Sequence, residues 1–327
     1  MDLKYDVEAD WVLLTTCNFR CAYCFVPLPD LATKLTTHGT NVQWAEGFAA
    51  TEKTWLLHIS GGEPSIYPGF VDLCEKLSRR HYLSINSNLS HRCIETFGET
   101  IDPERVHFIN AAVHYDERPK QRSLAAFITR VQKLHMHRFH VFVSLVMTPL
   151  MVRNFPEISR YFESHGLSLI PKVMRDRFQG KIYPRAYSGE EKSLLREYLT
   201  KARENYASVK AVMGETATIN MLDDDRFLDS PRIYRGKLCG SGQKFVRIEP
   251  NGAVVRCGSA MQLGNILLKN VALLNTPKPC DSFYCPYFCE KYTSPPFAPA
   301  QETKRDLGDF FLSLKAWRDS QRQQPER

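Results

Sequence analysis

WVLLTTCNFRCAYCF, residues 11–25, is the stretch from which the rest of the chain is read. WVLLTT (11–16) is an apolar run of strand length, and it opens directly into a loop carrying Cys17, Cys21 and Cys24 beside Phe19, Arg20 and Tyr23. Three thiols are an awkward number. Structural zinc takes four protein ligands, and a disulfide takes two cysteines. No histidine lies within the loop, and His38 and His58 are the nearest ones C-terminal to it. An iron–sulfur cluster also uses thiolate ligands, and four irons on three thiolates leave one iron open to a substrate or cofactor. On these residues alone both metals stay open.

Outward from this loop the chain alternates short apolar runs with helical spacing. WLLHIS (55–60) is a second buried strand and leads into Gly61-Gly62-Glu63-Pro64. VDLCEKLSRR (71–80) has helical periodicity, HYLSINS (81–87) and VHFINAAVH (106–114) read as strands, and SLAAFITRVQKLHMH (123–137) as an amphipathic helix. FHVFVSLVM (139–147) is a strand, FPEISRYFESHG (155–166) a helix with a glycine stop, and LSLIPKVM (167–174) a strand. This alternation predicts βαβ units on a parallel sheet, about six of them, hence an α/β fold built on a partial (β/α)6 barrel. In such sheets chemistry collects at the carboxyl ends of the strands, where both the cysteine loop and GGEP fall. SGEEKSLLREYLTKARENYA (188–207) is a further helix with Ser188 as its N-cap, and FVRIEPNGAVVRC (245–257) is a hairpin around Pro250-Asn251-Gly252. The acidic run LDDDRF (222–227) reads as an exposed loop, and the stripe Leu307, Phe310, Phe311, Leu314, Trp317 as a docking helix without chemistry.

The 327 residues are 43% hydrophobic and 24% charged, a globular balance. No apolar run is long enough to span a membrane, and the acidic N-terminus MDLKYDVEADW is unlike a signal peptide, so the expectation is a cytoplasmic protein. A net charge of +7 with basic residues interspersed among acids describes a mildly basic surface rather than a nucleic-acid footprint. In a reducing compartment, ten cysteines, eight of them in two groups, point to metal. Cys74 and Cys93 stand apart and read as small buried hydrophobes.

The spacing Cys17-x3-Cys21-x2-Cys24, with Tyr23 before the last cysteine, resembles the signature of the radical S-adenosylmethionine (radical SAM) family, and GGEP at 61–64 resembles its glycine-rich SAM segment. The resemblance implies that Cys17, Cys21 and Cys24 hold a [4Fe-4S] cluster whose open iron is chelated by SAM. It also implies that Gly61, Gly62, Glu63 and Pro64 hold the SAM amino group. Ser87 and Asn88 fall where relatives often carry Thr-Asn-Gly, with Leu89 in place of the glycine. Ser144 matches a ribose-contacting position, and His114 stands where many relatives have aspartate.

Cys239, Gly252, Cys257 and the closing Cys280, Cys285, Cys289 resemble the SPASM/twitch auxiliary-cluster modules of that family. Five cysteines suit a second, auxiliary [4Fe-4S] cluster with one thiol to spare, and Cys280 or Cys285 is the candidate hydrogen donor if the spare thiol takes part in catalysis. The implied organisation is a radical SAM partial barrel over 1–207, a linker at 208–235, an auxiliary-cluster domain at 236–295, and a C-terminal helix and polar tail at 296–327.

The implied activity is reductive cleavage of SAM to a 5′-deoxyadenosyl radical that takes hydrogen from a peptide or sugar-type substrate, ending in oxidation (dehydrogenation or a crosslink) or in epimerisation. Flavodoxin or ferredoxin is the expected electron donor. Sixteen residues precede Cys17, which leads to the expectation that a peptide substrate is either brought by a separate leader-binding protein or bound directly. Arg175, Arg177, Lys181, Tyr183 and Arg185 lie beyond the sixth strand, where they could meet a polar substrate. The competing class is a non-catalytic zinc or iron–sulfur binding protein.

Overall fold

The computed structural model describes residues 3–24, 26, 31, 34–175, 177–213, 222–228, 234–257, 261–281, 285 and 292–294. The docking stripe at 307–317 and Cys289 lie outside the described residues.

Strand β1 (Val7–Leu14) leads into the cysteine loop and on to α1 (Asn41–Ala49). Then come β2 (Trp55–Gly61), α2 (Phe70–Ser78), β3 (Tyr82–Ser87), α3 (Cys93–Thr100), β4 (Val106–Ala112), α4 (Leu124–Met136), β5 (Val141–Met147), α5 (Pro149–Glu163) and β6 (Leu169–Val173). Strands β1 to β6 pair in sequence order, all parallel. Alternate residues of each strand bury against the helices: Trp11 packs on Trp44 and Phe48 of α1, with centroids 4.8 and 5.2 Å away. Each fully buried tryptophan contributes roughly 4–6 kcal/mol of transfer free energy.

Helices α1 and α3 are not apparent from sequence periodicity. α1 is announced by a capping box in which Thr40 and Gln43 bond reciprocally. α3, with Gly98 and two threonines, forms because Ile94 and Phe97 fill the core against α2 and β5 flanks, Phe97 stacking on Phe70 at 6.0 Å. α5 starts before the expected 155: Thr148 caps Met151 and Pro149 takes the first helical position, where its missing N–H costs nothing. Pro156 is accommodated inside the helix.

After β6 a short pair β7 (Arg177–Phe178) and β8 (Lys181–Ile182) precedes α6 (Gly189–Asn205), capped by Ser188 and Glu191, and α7 (Ala207–Met213). The acidic run is not an exposed loop. Asp224 is buried, with Oδ1 accepting from Lys172 Nζ at 2.8 Å and Oδ2 from the Val173 backbone N–H at 2.9 Å, so it anchors this segment to β6. A carboxylate that accepts both an ammonium and an amide can be buried where a free one could not.

Strand β9 (Leu238–Cys239) is followed by the expected hairpin, β10 (Phe245–Ile248) and β11 (Ala253–Val255), then by β12 (Gln262–Asn265). The hairpin continues the main sheet: β10 pairs parallel with β1, Trp11 opposite Ile248, giving nine strands in the order β12-β11-β10-β1-β2-β3-β4-β5-β6. It thereby covers what would be an open β1 edge. Two short strands, β13 (Lys278–Pro279) and β14 (Thr293–Ser294), flank β9. No described helix is long and apolar enough to cross a membrane.

Candidate active site

The cysteine loop leaves the carboxyl end of β1 and meets the segments that follow the carboxyl ends of β2, β3 and β4. Cys21 is buried and Cys17 and Cys24 are half-buried. Local backbone bonds shape the loop: Phe19 N–H points at Cys17 Sγ, 3.4 Å away, and Cys24 N–H donates to Cys21 O at 3.0 Å. Burial pushes the Cys17 thiol up to about 11 and Cys21 up to about 12. Each thiol therefore keeps its proton at neutral pH until a metal displaces it.

The end of β2 is pressed against this loop. A Cβ on Gly61 would lie 2.2 Å from Leu14 O, and one on Gly62 2.0 Å from Thr16 O. The close approach these glycines allow is therefore to the chain's own loop, with Gly62 N–H donating to Leu14 O at 2.8 Å and Glu63 N–H to Thr16 O at 2.9 Å. Gly61 also has φ +138°, a conformation that an L side chain rarely adopts. Pro64 is buried and begins a single turn, Pro64–Ile66.

Glu63 is 1% exposed. Its Oε1 accepts from Ser65 N–H at 3.0 Å, Ser65 Oγ at 2.5 Å and Ser87 Oγ at 2.6 Å, and its Oε2 from Asn88 N–H at 2.6 Å. One carboxylate thus binds GGEP to the Ser87-Asn88 segment after β3. Asn88 Nδ2 in turn donates to Asn18 Oδ1 at 3.0 Å, which returns the network to the cysteine loop. Leu89, in the glycine position of the resemblance, adopts φ +52° with its side chain fully buried; core packing offsets a backbone cost of about 1–2 kcal/mol. Ser144 lies one strand further on. Its Oγ donates to Asn110 Oδ1 at 2.7 Å, and Asn110 Nδ2 donates to Asn86 Oδ1 at 2.6 Å, a polar row across β3, β4 and β5. Asn86 and Asn110 were legible only as polar residues interrupting apolar strands.

The segment after β4 clamps the loop from the other side. His114 Nδ1 lies 3.3 Å from Cys21 Sγ and 3.1 Å from Tyr23 Oη. Arg20 N–H donates to Glu117 Oε2 at 3.3 Å, and Gln121 Nε2 to Asn18 O at 3.2 Å. Arg118 is fully buried; Nε donates to Val113 O at 2.7 Å, and Nη2 to Asn88 O and, at 3.2 Å, to Ala112 O. Its guanidinium lies 5.0 Å from the Phe19 ring centroid and 4.2 Å from that of Phe127. Glu117, Arg118 and Gln121 carry no sequence motif. Their role depends on β4 lying two strands from β2 in the sheet.

The second cysteine group is partly assembled. Cys239 is buried on β9 with Ser241 N–H 3.4 Å from its Sγ, the same i+2 arrangement as at Cys17. Cys280 is held across from β9 by its N–H donating to Lys237 O at 2.8 Å. Arg256, next to half-buried Cys257, donates to Ser241 O at 3.0 Å and to Lys278 O and Pro279 O at 2.8 Å each. One buried guanidinium therefore joins the segments that carry Cys239, Cys257 and Cys280. Cys285 is half-buried. Cys74 is buried as expected, while Cys93 is half-buried with Sγ 3.1 Å from Ser65 O. Beyond β6, Arg175 lies over Phe227 at 4.3 Å, and Tyr183 packs into the core on Tyr187 at 4.7 Å, so Tyr183 is not a surface residue. Among the described residues no three His, Cys, Asp or Glu side chains gather tightly enough for a single metal ion. A four-iron cluster differs from a single ion in taking its thiolates spread around a larger core.

Residues 11–116 match the family model described as Radical SAM superfamily. The PqqA peptide cyclase of Gluconobacter oxydans (strain 621H) is 26% identical over 273 residues, 78% of this chain and 71% of that protein. Among solved structures, anSMEcpe with bound AdoMet superposes with a TM-score of 0.54 at 16% identity, over 80% of this chain and 78% of that one. Streptococcus suis SuiB superposes with a TM-score of 0.52 at 14% identity, over 81% of this chain and 64% of that one. At such identities the structural likeness is one of fold, a mixed α/β fold whose large parallel sheet is consistent with a partial barrel. Together the matches support the radical SAM superfamily and an enzymatic role.

Proposed function

We propose that this chain is a radical SAM enzyme that removes hydrogen from a peptide substrate and completes an oxidation, forming a dehydrogenated or crosslinked product. The observation that carries the reading is the Glu63 network, which draws the ends of β2 and β3 to the one loop that bears Cys17, Cys21 and Cys24. The donor set fits a [4Fe-4S] cluster: three thiols at a strand end, with no fourth protein ligand needed. When bound, the cluster supplies the electron, and SAM the radical, that take hydrogen from an unactivated carbon.

The chain's own residues then do the holding. Cys17, Cys21 and Cys24 ligate the cluster, Tyr23 packs beside it, and Gly61, Gly62, Glu63 and Pro64 shape the SAM amino-acid end. Ser87, Asn88 and Ser144 present polar groups to the ribose and carboxylate. Cys239, Cys257, Cys280, Cys285 and Cys289 would hold an auxiliary cluster, which would supply an acceptor for the substrate's second electron; a spare thiol among Cys280 and Cys285 would instead return hydrogen and give epimerisation. A peptide substrate is supported by the relationship to the PqqA peptide cyclase. Flavodoxin or ferredoxin delivers electrons.

The decisive experiment is anaerobic reconstitution followed by iron, zinc and 5′-deoxyadenosine assays on the parent protein and on Cys21→Ala. The expected result is brown protein with about eight irons per chain that cleaves SAM, and a variant with about four irons that does not. Colourless protein containing zinc overturns the reading. Solvent deuterium appearing at one product carbon without loss of two hydrogens replaces oxidation by epimerisation.

A further inference from the structure

The cysteine loop is gripped by one tight turn, and that turn carries two groups able to act on a metal centre without ligating it. His114 adopts φ +48°, and the N–H groups of Glu117 and Arg118 close onto His114 O at 2.9 and 3.3 Å. The imidazole is fixed between two loop aromatics, edge-on to Phe19 at 5.8 Å and stacked with Tyr23 at 6.1 Å. This orientation aims Nδ1 at Cys21 Sγ. A metal-bound thiolate has no proton to give. The hydrogen of the 3.3 Å contact then belongs to Nδ1, making it an N–H···S bond.

Arg118 adds charge from beneath. Its Nε and Nη2 are committed to main-chain carbonyls, but Nη1 is buried with no hydrogen-bond partner among the described residues. Glu63, Arg130 and Cys21 act on it, and Glu117 acts on Cys21 from the same turn, so the two guanidinium groups stand among two carboxylates around the site. Three neutral carbonyls satisfy the guanidinium geometrically without cancelling its charge.

We propose that the His114–Arg118 turn sets the reduction potential of the cluster held by Cys17, Cys21 and Cys24, His114 through an N–H···S bond to Cys21 and Arg118 through buried positive charge. The inference rests on the cluster reading of the site. Adding an electron makes the cluster more negative, and both a sulfur-directed donor and a nearby cation favour that state, raising the potential. Both are positioning residues, since neither replaces a ligand.

The test is a mediated redox titration of the reconstituted full-length protein, reading the reduced-cluster EPR signal that changes on adding SAM. His114→Phe keeps the aromatic stack and removes the donor; His114→Asn restores an N–H near the Nδ1 position. Arg118→Met removes the charge; Arg118→Lys restores it. The expected result is that His114→Phe and Arg118→Met each lower the reduced-to-oxidised ratio at fixed potential about tenfold, ~59 mV for a one-electron couple. His114→Asn and Arg118→Lys are expected within about threefold of the parent, or ~28 mV. Full iron content with an unchanged midpoint in His114→Phe and Arg118→Met overturns the inference while leaving the cluster reading intact. Iron loss in His114→Phe also overturns it, by making His114 a requirement for assembly. If Arg118→Met does not fold, the His114 pair decides alone. A parent protein that takes up no cluster fails the underlying reading instead.

Discussion

The Glu63 carboxylate accepts the Asn88 backbone N–H at 2.6 Å, which ties the carboxyl end of β2 to that of β3. The Ser65 N–H and the hydroxyls of Ser65 and Ser87 complete its shell. A buried acceptor with four donors cannot be replaced by an amide without turning one donor against another.

Glu63→Gln is therefore expected to lower the unfolding free energy by about 1–3 kcal/mol, read by urea denaturation of the metal-free protein. In the reconstituted enzyme the same variant should weaken SAM binding about tenfold, ~1.4 kcal/mol, because the segments on either side of the carboxylate lose their relative position. Unchanged stability together with unchanged SAM affinity would refute this role.

Arg256 makes the corresponding connection in the second cysteine group, bonding Ser241 O, Lys278 O and Pro279 O while only 3% exposed. Arg256→Met removes all three bonds. Iron content should fall by about four per chain while SAM cleavage continues, giving 5′-deoxyadenosine without product. Retention of full iron would show that the cysteine-bearing segments need no such tie.

His81 gives the protein a pH dependence of its own. It is 2% exposed and its Nδ1 accepts the Trp55 N–H at 3.3 Å, so the fold needs the neutral ring. Desolvation, with Arg80 adding to it, lowers its pKa from 6.5 to about 4. Because the folded pKa lies below the unfolded one, the stabilisation is present above about pH 6.5 and is lost as pH falls toward 4. Between pH 7 and pH 5 the loss should be about 2 kcal/mol. His81→Gln should start less stable at pH 7 yet lose less on acidification, measured by denaturation at both pH values. Equal losses in parent and variant would assign the acid sensitivity to another group.

Much of this organisation is legible residue by residue. The strands β1 to β6 follow from apolar runs, the hairpin from Pro250-Asn251-Gly252, and the thiol-bearing loop from its spacing. What escaped is what depends on distant partners. α3 has weak intrinsic helix formers and is helical because Phe97 finds Phe70 and Phe139. The acidic run became a buried anchor because β6 presents Lys172 and the Val173 N–H to Asp224. The two glycines of GGEP do suit a close approach, but the neighbour is the backbone of Leu14 and Thr16.

Local chemistry, carried by the order of residues, determined which side chains can ligate metal and which faces of each strand are apolar, because side-chain direction alternates with position along a strand. Tertiary structure decided which of those groups meet. Cys21 and His114 are 93 positions apart, and only the parallel pairing of β1 through β4 brings the loop after one strand against the turn after another. Once they meet there, burial removes the water that would screen them, and an imidazole and a phenol hydroxyl become polar company for a buried thiol.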